Sequence, residues 1–159
     1  MRNKDFKENL LELTKIIIYF ANKSKTRLYK TKLNKLLFYT QFLYYKTYGE
    51  KLMDFEFIKD HHGPVLNCAD KYLNILQDLS ILRLVETDYG LTIEARFKMK
   101  LSDYEKNELE ILSKIQNKFE LFTASDISEY SHKEPLWINT GLKQIIDINR
   151  AGELNELFI

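Results

Sequence analysis

Between Thr31 and Tyr48 the sequence is apolar nearly all round a helix, and this constrains the fold more than any other segment. Leu33, Leu36, Leu37, Leu43 and Tyr44 form one stripe, and Phe38, Phe42 and Tyr45 form a second. A helix with two apolar stripes packs on more than one side, so this one is expected at the centre of the molecule. Thr31 is its expected N-cap. Gly49 is its expected stop, as a C-cap glycine. Lys32 and Lys35 lie near its start. A buried ammonium is costly, so both are expected to face water.

The elements around it follow from periodicity. Residues 5–22 place Phe6, Leu10, Leu13, Ile17 and Phe20 on one helical face. Asn22–Lys30 has no period and reads as a basic loop. Phe55–Lys59 alternates briefly, as a short strand does. His61-His62-Gly63-Pro64 reads as a turn, with Pro64 in the first turn of a third helix that runs to about Leu79. Its expected inner face is Val65, Ala69, Tyr72, Leu73 and Leu76. Leu82–Thr87 and Leu91–Phe97 flank Asp88-Tyr89-Gly90 as a hairpin. Ser102 and Glu105 have capping-box spacing before a helix to about Phe119, with Leu109, Leu112, Ile115 and Phe119 inward. Thr123 opens a short helix to near Tyr130. Gln144–Ile148 is a further strand candidate, and Gly152–Phe158 a final helical turn. No linker, repeat or low-complexity tract interrupts the 159 residues. The expected fold class is therefore mainly α with minor β: a single helical domain, residues 1–159, with a small β-hairpin or short sheet.

Composition narrows the function classes. Hydrophobic residues are 45% and charged residues 30%, which excludes a compositionally disordered chain. Cys68 is the only cysteine, so no intrachain disulfide is possible. A reducing cytoplasm is the expected location. No signal peptide and no membrane span is expected, because the longest apolar run, Ile16–Ala21, is far too short. The net charge of +1 hides an asymmetry. Residues 1–49 carry 11 Lys/Arg against three Asp/Glu, and no acid lies between Glu12 and Glu50. Lys23, Lys25, Arg27, Lys30 and Lys32 form the densest basic patch, with Tyr29 among them. Either these are a solvated face, or they meet an acidic partner or a phosphate backbone.

Chemistry-bearing motifs are scarce. There is no Gly-rich phosphate loop, no GxSxG elbow and no HExxH pair. His132-Lys133-Glu134 matches the H-x-E of zinc deaminases, but that chemistry also needs a later C-x-x-C to hold the metal, and the chain has no second cysteine. His61, His62 and His132 as a metal set, and Cys68 with His132 as a nucleophile pair, have no local support. A buried structural role is the default for Cys68. The chain is expected to be no enzyme and to hold no cofactor or metal.

Three segments taken in order resemble the Panacea antitoxin domain. They are Thr31–Tyr39 with Phe42 and Leu43, His62-Gly63-Pro64-Val65, and Ser131-His132-Lys133-Glu134 followed by Trp137. The resemblance spans roughly residues 31–140. His62 stands where that family usually has an aromatic residue. The resemblance implies a protein that neutralises a cognate toxin by direct protein–protein contact in a bacterial or phage toxin–antitoxin system. It singles out Lys35, Tyr39, Phe42, His62, Gly63, Pro64, Val65, His132, Glu134 and Trp137 as motif residues, either partner-binding or structural. For His132 the structural reading is a hydrogen bond tying the helix 123–131 to the second helix. For Trp137 it is core packing. Tyr44, Tyr45 and Tyr48 are candidates for exposure, and the basic segment 23–35 is a candidate for steering an acidic toxin. Two alternatives stand beside this reading. One is a winged-helix-like DNA-binding regulator with Asp88-Tyr89-Gly90 at its wing tip. The other is an adaptor of a phage or mobile element that binds a host target.

Overall fold

The computed structural model describes residues 4–157. The long apolar segment forms helix α2, Lys30–Tyr48, with Leu33 to Phe42 buried without a break. It touches helix α1 (Phe6–Lys23), helix α4 (Lys106–Phe119) and helix α5 (Ala124–Ser131). It is therefore the central element, as its two apolar stripes require. Gly49 closes it with φ 71, and its N–H donates to Tyr45 O at 2.8 Å. The expected Thr31 cap is displaced. Tyr29 stands at the N-cap, with no side-chain cap bond, because it bridges to Thr92 as extended backbone before the helix starts. The segment before it is thus not a simple loop: Ile93 N–H also donates to Leu28 O at 2.9 Å.

α1 buries Leu13, Ile17 and Phe20 as expected, whereas Phe6 is exposed. The hairpin of strands β3 (Leu82–Thr87) and β4 (Gly90–Ala95) forms in the expected place, from Leu82 opposite Ala95 to Thr87 opposite Gly90. Thr123 caps α5 through a reciprocal pair of bonds with Asp126, each 3.0 Å.

The largest difference from expectation lies at 57–69. Pro64 does not start a helix. It sits in strand β2 (Gly63–Leu66), which pairs antiparallel with strand β1 (Phe57–Asp60), Pro64 opposite Lys59. A proline is tolerated there because β2 lies at the sheet edge, where a missing N–H breaks no second ladder. β1 is paired on its other side too. Ile146 N–H donates to Phe57 O at 2.8 Å and Lys59 N–H to Gln144 O at 3.0 Å, which makes the strand candidate 144–148 a short third partner. Helix α3 begins only at Ala69, after Cys68 turns the chain with φ 61, and ends at Asp78. Val65 therefore belongs to β2, and the inner face of α3 is Leu73 and Leu76 with Ala69 and Tyr72 at its margin. Cys68 is exposed, not buried.

Ser102 does not cap α4. It lies in a 3-10 turn, Leu101–Asp103, where Asp103 accepts from Lys100 N–H at 2.8 Å, and α4 starts three residues later than expected. Its inner face is Ile111, Leu112, Ile115 and Phe119, with Leu109 at the margin. The last elements among the described residues are helix α6 (Pro135–Ile138) and a 3-10 turn, Ile148–Glu153, earlier than the expected turn at 152–158, of which residue 158 lies outside the described residues. No helix among the described residues is long and apolar enough to cross a membrane. Mainly helical architecture with two small antiparallel sheets is thus the fold class.

One buried charge cluster joins α1 to α4. Lys15 Nζ lies 3.3 Å from Glu12 and 3.1 Å from Glu108, and Tyr104 OH donates to Lys15 O at 2.8 Å. Glu108 is 2% exposed. Burial, then the hydrogen bond and charge of Glu12, push its carboxyl up to about 8. The folded chain therefore keeps a proton that the unfolded chain releases near 4.5, so the stability this contributes is present at low pH and is lost as pH rises towards 8. Glu108→Gln cannot ionise. Its urea midpoint is expected to exceed that of the wild type at pH 9 and to change less between pH 5 and pH 9. A midpoint that falls with pH as steeply as the wild type's would contradict this assignment.

Candidate functional site

The three motif segments, separated in sequence, converge on the β1–β2 hairpin. α2 supplies Lys35, Tyr39 and Phe42, the hairpin supplies His62 to Val65, and the end of α5 with α6 supplies Ser131 to Trp137. Gly63 is the point of closest approach. Its φ is 116, and a Cβ built there would lie 2.5 Å from Ser131 Oγ and 2.8 Å from Lys35 Cε. Only glycine fits both the backbone and the space. Gly63→Ala is expected to destabilise by about 2–3 kcal/mol, from backbone strain plus displacement of both neighbours. A urea midpoint equal to the wild type's would show that the hairpin can retreat.

Glu134, fully buried, is the hub of the polar frame. It accepts from Tyr39 OH at 2.9 Å and from Asn155 N–H at 2.8 Å. Burial raises its pKa, and those two hydrogen bonds act in the opposite direction. Burial and the Glu134 charge raise that of Tyr39, so the phenol remains the donor. This bond ties the last turns of the fold to α2. The tie expected of His132 is therefore made by Glu134. His132 instead stacks on Trp137 at 4.3 Å, and its Nε2 is buried without a hydrogen-bond partner among the described residues. Lys59 covers the Trp137 ring at 4.0 Å, and the indole N–H donates to Asp60 O at 3.1 Å. Trp137 thus uses its ring and its donor together. Phe42 is buried against Phe38 and Phe57.

Lys35 reverses its expectation. It is 1% exposed, its stem pressed against Gly63. Burial lowers its pKa to about 8, against a smaller opposing effect from Asp60. Of the tyrosines expected at the surface, Tyr44 is buried, whereas Tyr45 and Tyr48 are half-buried. Two residues not singled out beforehand complete the frame. Asn34 Oδ1 accepts from Leu66 N–H at 3.0 Å, and Gln41 makes two bonds to the Met53 backbone, at 2.6 and 3.2 Å. A polar residue inside a run of buried apolar positions was the available signal, since it must find partners there.

The basic patch disperses. Lys25 pairs with Glu120 at 3.0 Å and Lys30 with Asp70 at 2.7 Å. Lys32 donates to Phe119 O, at the end of α4, and to Phe122 O, just past it, and Lys23 lies 5.8 Å from the Tyr19 ring centroid. Arg27 is exposed and has no ion pair among the described residues. It opens onto a cleft of about 670 Å³, lined also by Tyr29, Lys32, Tyr89 and Phe122. Tyr89, at the β3–β4 tip, is 87% exposed. Among the described residues no group of three His, Cys, Asp or Glu side chains is placed to hold a metal ion.

The family model described as "Antitoxin SocA-like, Panacea domain" matches residues 33–138. The chain belongs to this Panacea antitoxin-like family. Its match covers two thirds of the sequence and contains the frame from Lys35 to Trp137, while α1 and the closing 3-10 turn lie outside it. No curated protein and no solved structure matches the chain. The Panacea motifs of this chain are mostly interior: Lys35, Tyr39, Phe42, Gly63, Pro64 and Glu134 are buried, Val65, His132 and Trp137 half-buried, and His62 exposed.

Proposed function

We propose that this chain is an antitoxin that neutralises a cognate toxin by stoichiometric binding, without catalysis, in the cytoplasm of a bacterium or phage host. The family match over residues 33–138 carries this reading. The geometry adds a division of labour. The motif residues form the frame, so they specify the fold that presents a binding surface. That surface is the cleft between Arg27 and Tyr89, outside the frame. It combines one exposed tyrosine, Tyr89, and the half-buried Tyr29 and Phe122 with an arginine that has no ion pair among the described residues, residue types that anchor protein interfaces. A partner covering about 800 Å² there would bury both rims.

The test is growth. Each open reading frame adjacent to this gene is expressed singly in cells, then together with this chain. One neighbour is expected to arrest growth, and co-expression is expected to restore it. Arg27→Glu with Tyr89→Ala is expected to lose the rescue while the purified variant keeps the wild-type urea midpoint. Absence of any toxic neighbour, or toxicity without rescue, would refute the antitoxin reading. Rescue undiminished by the double substitution would refute only the location of the surface.

A further inference from the structure

Lys35 lines a second cleft. This cleft holds about 340 Å³ and lies between the start of α2, the β1–β2 hairpin and the start of α3. Its apolar wall is Ile58, Val65, Leu66 and Ala69. Two acids stand at its margin, and each already has its own cation: Asp60 with Lys143 at 2.6 Å, and Asp70 with Lys30 at 2.7 Å. The Asn34 amide is committed as well, to Leu66 N–H and Lys30 O. Among the described residues, no hydrogen bond or ion pair involves Lys35 Nζ.

A side chain with 1% exposure thus lines a cleft in which the acid acting on its ammonium, Asp60, is already paired with Lys143. Burying a cation in this way is unfavourable unless something pairs with it. A methionine would fill the same space without that cost, so packing alone does not account for a lysine. Lys30, the other cation lining the cleft, is held by Asp70, which leaves Lys35 as the donor for an acceptor, and one donor suits a single charge. A phosphate dianion would call for several donors and would meet the two marginal acids. The wall beside the ammonium offers contact to an apolar body.

We propose that this cleft is a carboxylate-binding site, in which the Lys35 ammonium receives one carboxylate and the wall of Ile58, Val65, Leu66 and Ala69 holds the apolar group attached to it. The carboxylate belongs either to a small organic acid or to the C-terminus of a peptide ending in an apolar residue. The site is independent of toxin neutralisation and stands whether or not that reading holds.

The experiment follows the Lys35 Cε–Hε resonance of the full chain with labelled lysine, assigned by its absence in Lys35→Met. Four probes are titrated at pH 7 and fixed ionic strength: butyrate, N-acetyl-Ala-Leu with a free carboxylate, its C-terminal amide, and inorganic phosphate. A saturable shift is expected for butyrate or the peptide acid, half-complete at about 1 mM or below, with phosphate and the amide at least tenfold weaker. Tighter binding of butyrate assigns the site to small acids, and tighter binding of the peptide acid assigns it to a chain end. The Leu66 and Ala69 methyl resonances provide the same readout in Lys35→Met, which is expected to remain folded and to give no saturation. Phosphate or the amide binding as well as the acids, no saturable shift with any probe, or undiminished binding by Lys35→Met would each overturn the proposal.

Discussion

Glu134→Ala is expected to lower the unfolding free energy by about 4 kcal/mol, the largest loss from any single substitution in the frame. The side chain is fully buried and holds two donors from distant parts of the chain, Tyr39 OH and Asn155 N–H. Truncation leaves a cavity and both donors unsatisfied, and a buried donor without an acceptor costs roughly 1–3 kcal/mol. Glu134→Gln keeps an oxygen and nearly the same volume, so its loss is expected to be nearer 1 kcal/mol. In the Glu134→Ala background, Tyr39→Phe removes the orphaned hydroxyl and is expected to cost less than it does in the wild type. Urea denaturation of the wild type and the four variants measures this. A loss below about 1 kcal/mol for Glu134→Ala would mean that water replaces the carboxylate and that the frame is not held by this pair.

Lys35→Met is expected to act in the opposite direction and stabilise the fold by about 3 kcal/mol at pH 7. The lysine titrates near 10.5 when unfolded and near 8 when folded. Below pH 8 both states are charged, and the cost of burying the ammonium is present in full. Between 8 and 10.5 the unfolded chain binds a proton that the folded chain does not, so wild-type stability rises with pH. Above 10.5 both states are neutral, and the advantage of the methionine is expected to disappear. Unfolding curves for both proteins across pH 7 to 10.5 measure this. A difference that is independent of pH, or a destabilised variant at pH 7, would show that the ammonium is solvated or paired in solution. Such a stabilising substitution also fits a lysine kept for a ligand and not for the fold.

Much of this architecture is legible in the residue pattern because the signals are local. The two stripes of α2 require a central helix, Gly49 marks its end, Thr123 with Asp126 marks the start of α5, and the turn at Asp88-Tyr89-Gly90 separates two β-like runs. Failures occur where long-range pairing overrides local preference. Gly63-Pro64 has the composition of a helix start, yet β1 accepts these residues as a strand, because β1 is anchored on its far side by residues 144–146. Cys68 with φ 61 then delays α3. The polar frame was legible only as residue identities. Tyr39 and Glu134 are 95 positions apart, and nothing local states that one donates to the other. Lys35 was misplaced for a physical reason: a lysine is assigned to water by the cost of burying its charge, and here that cost is incurred beside a cleft. Glu108, shielded by Lys15 and sharing a hydrogen bond with Glu12, departs from the same rule in the same way.

In the proposed function this Panacea chain acts by occupying its partner and not by altering it. Once the rescue experiment supplies the toxin, its residual activity is measured as the purified antitoxin is added in increasing molar ratio. A linear decline that reaches zero at one antitoxin per toxin is expected, with full activity recovered when the complex is dissociated. Complete loss of activity at a small fraction of that ratio, or loss that persists after dissociation, would contradict it and assign the chain a catalytic action on its partner.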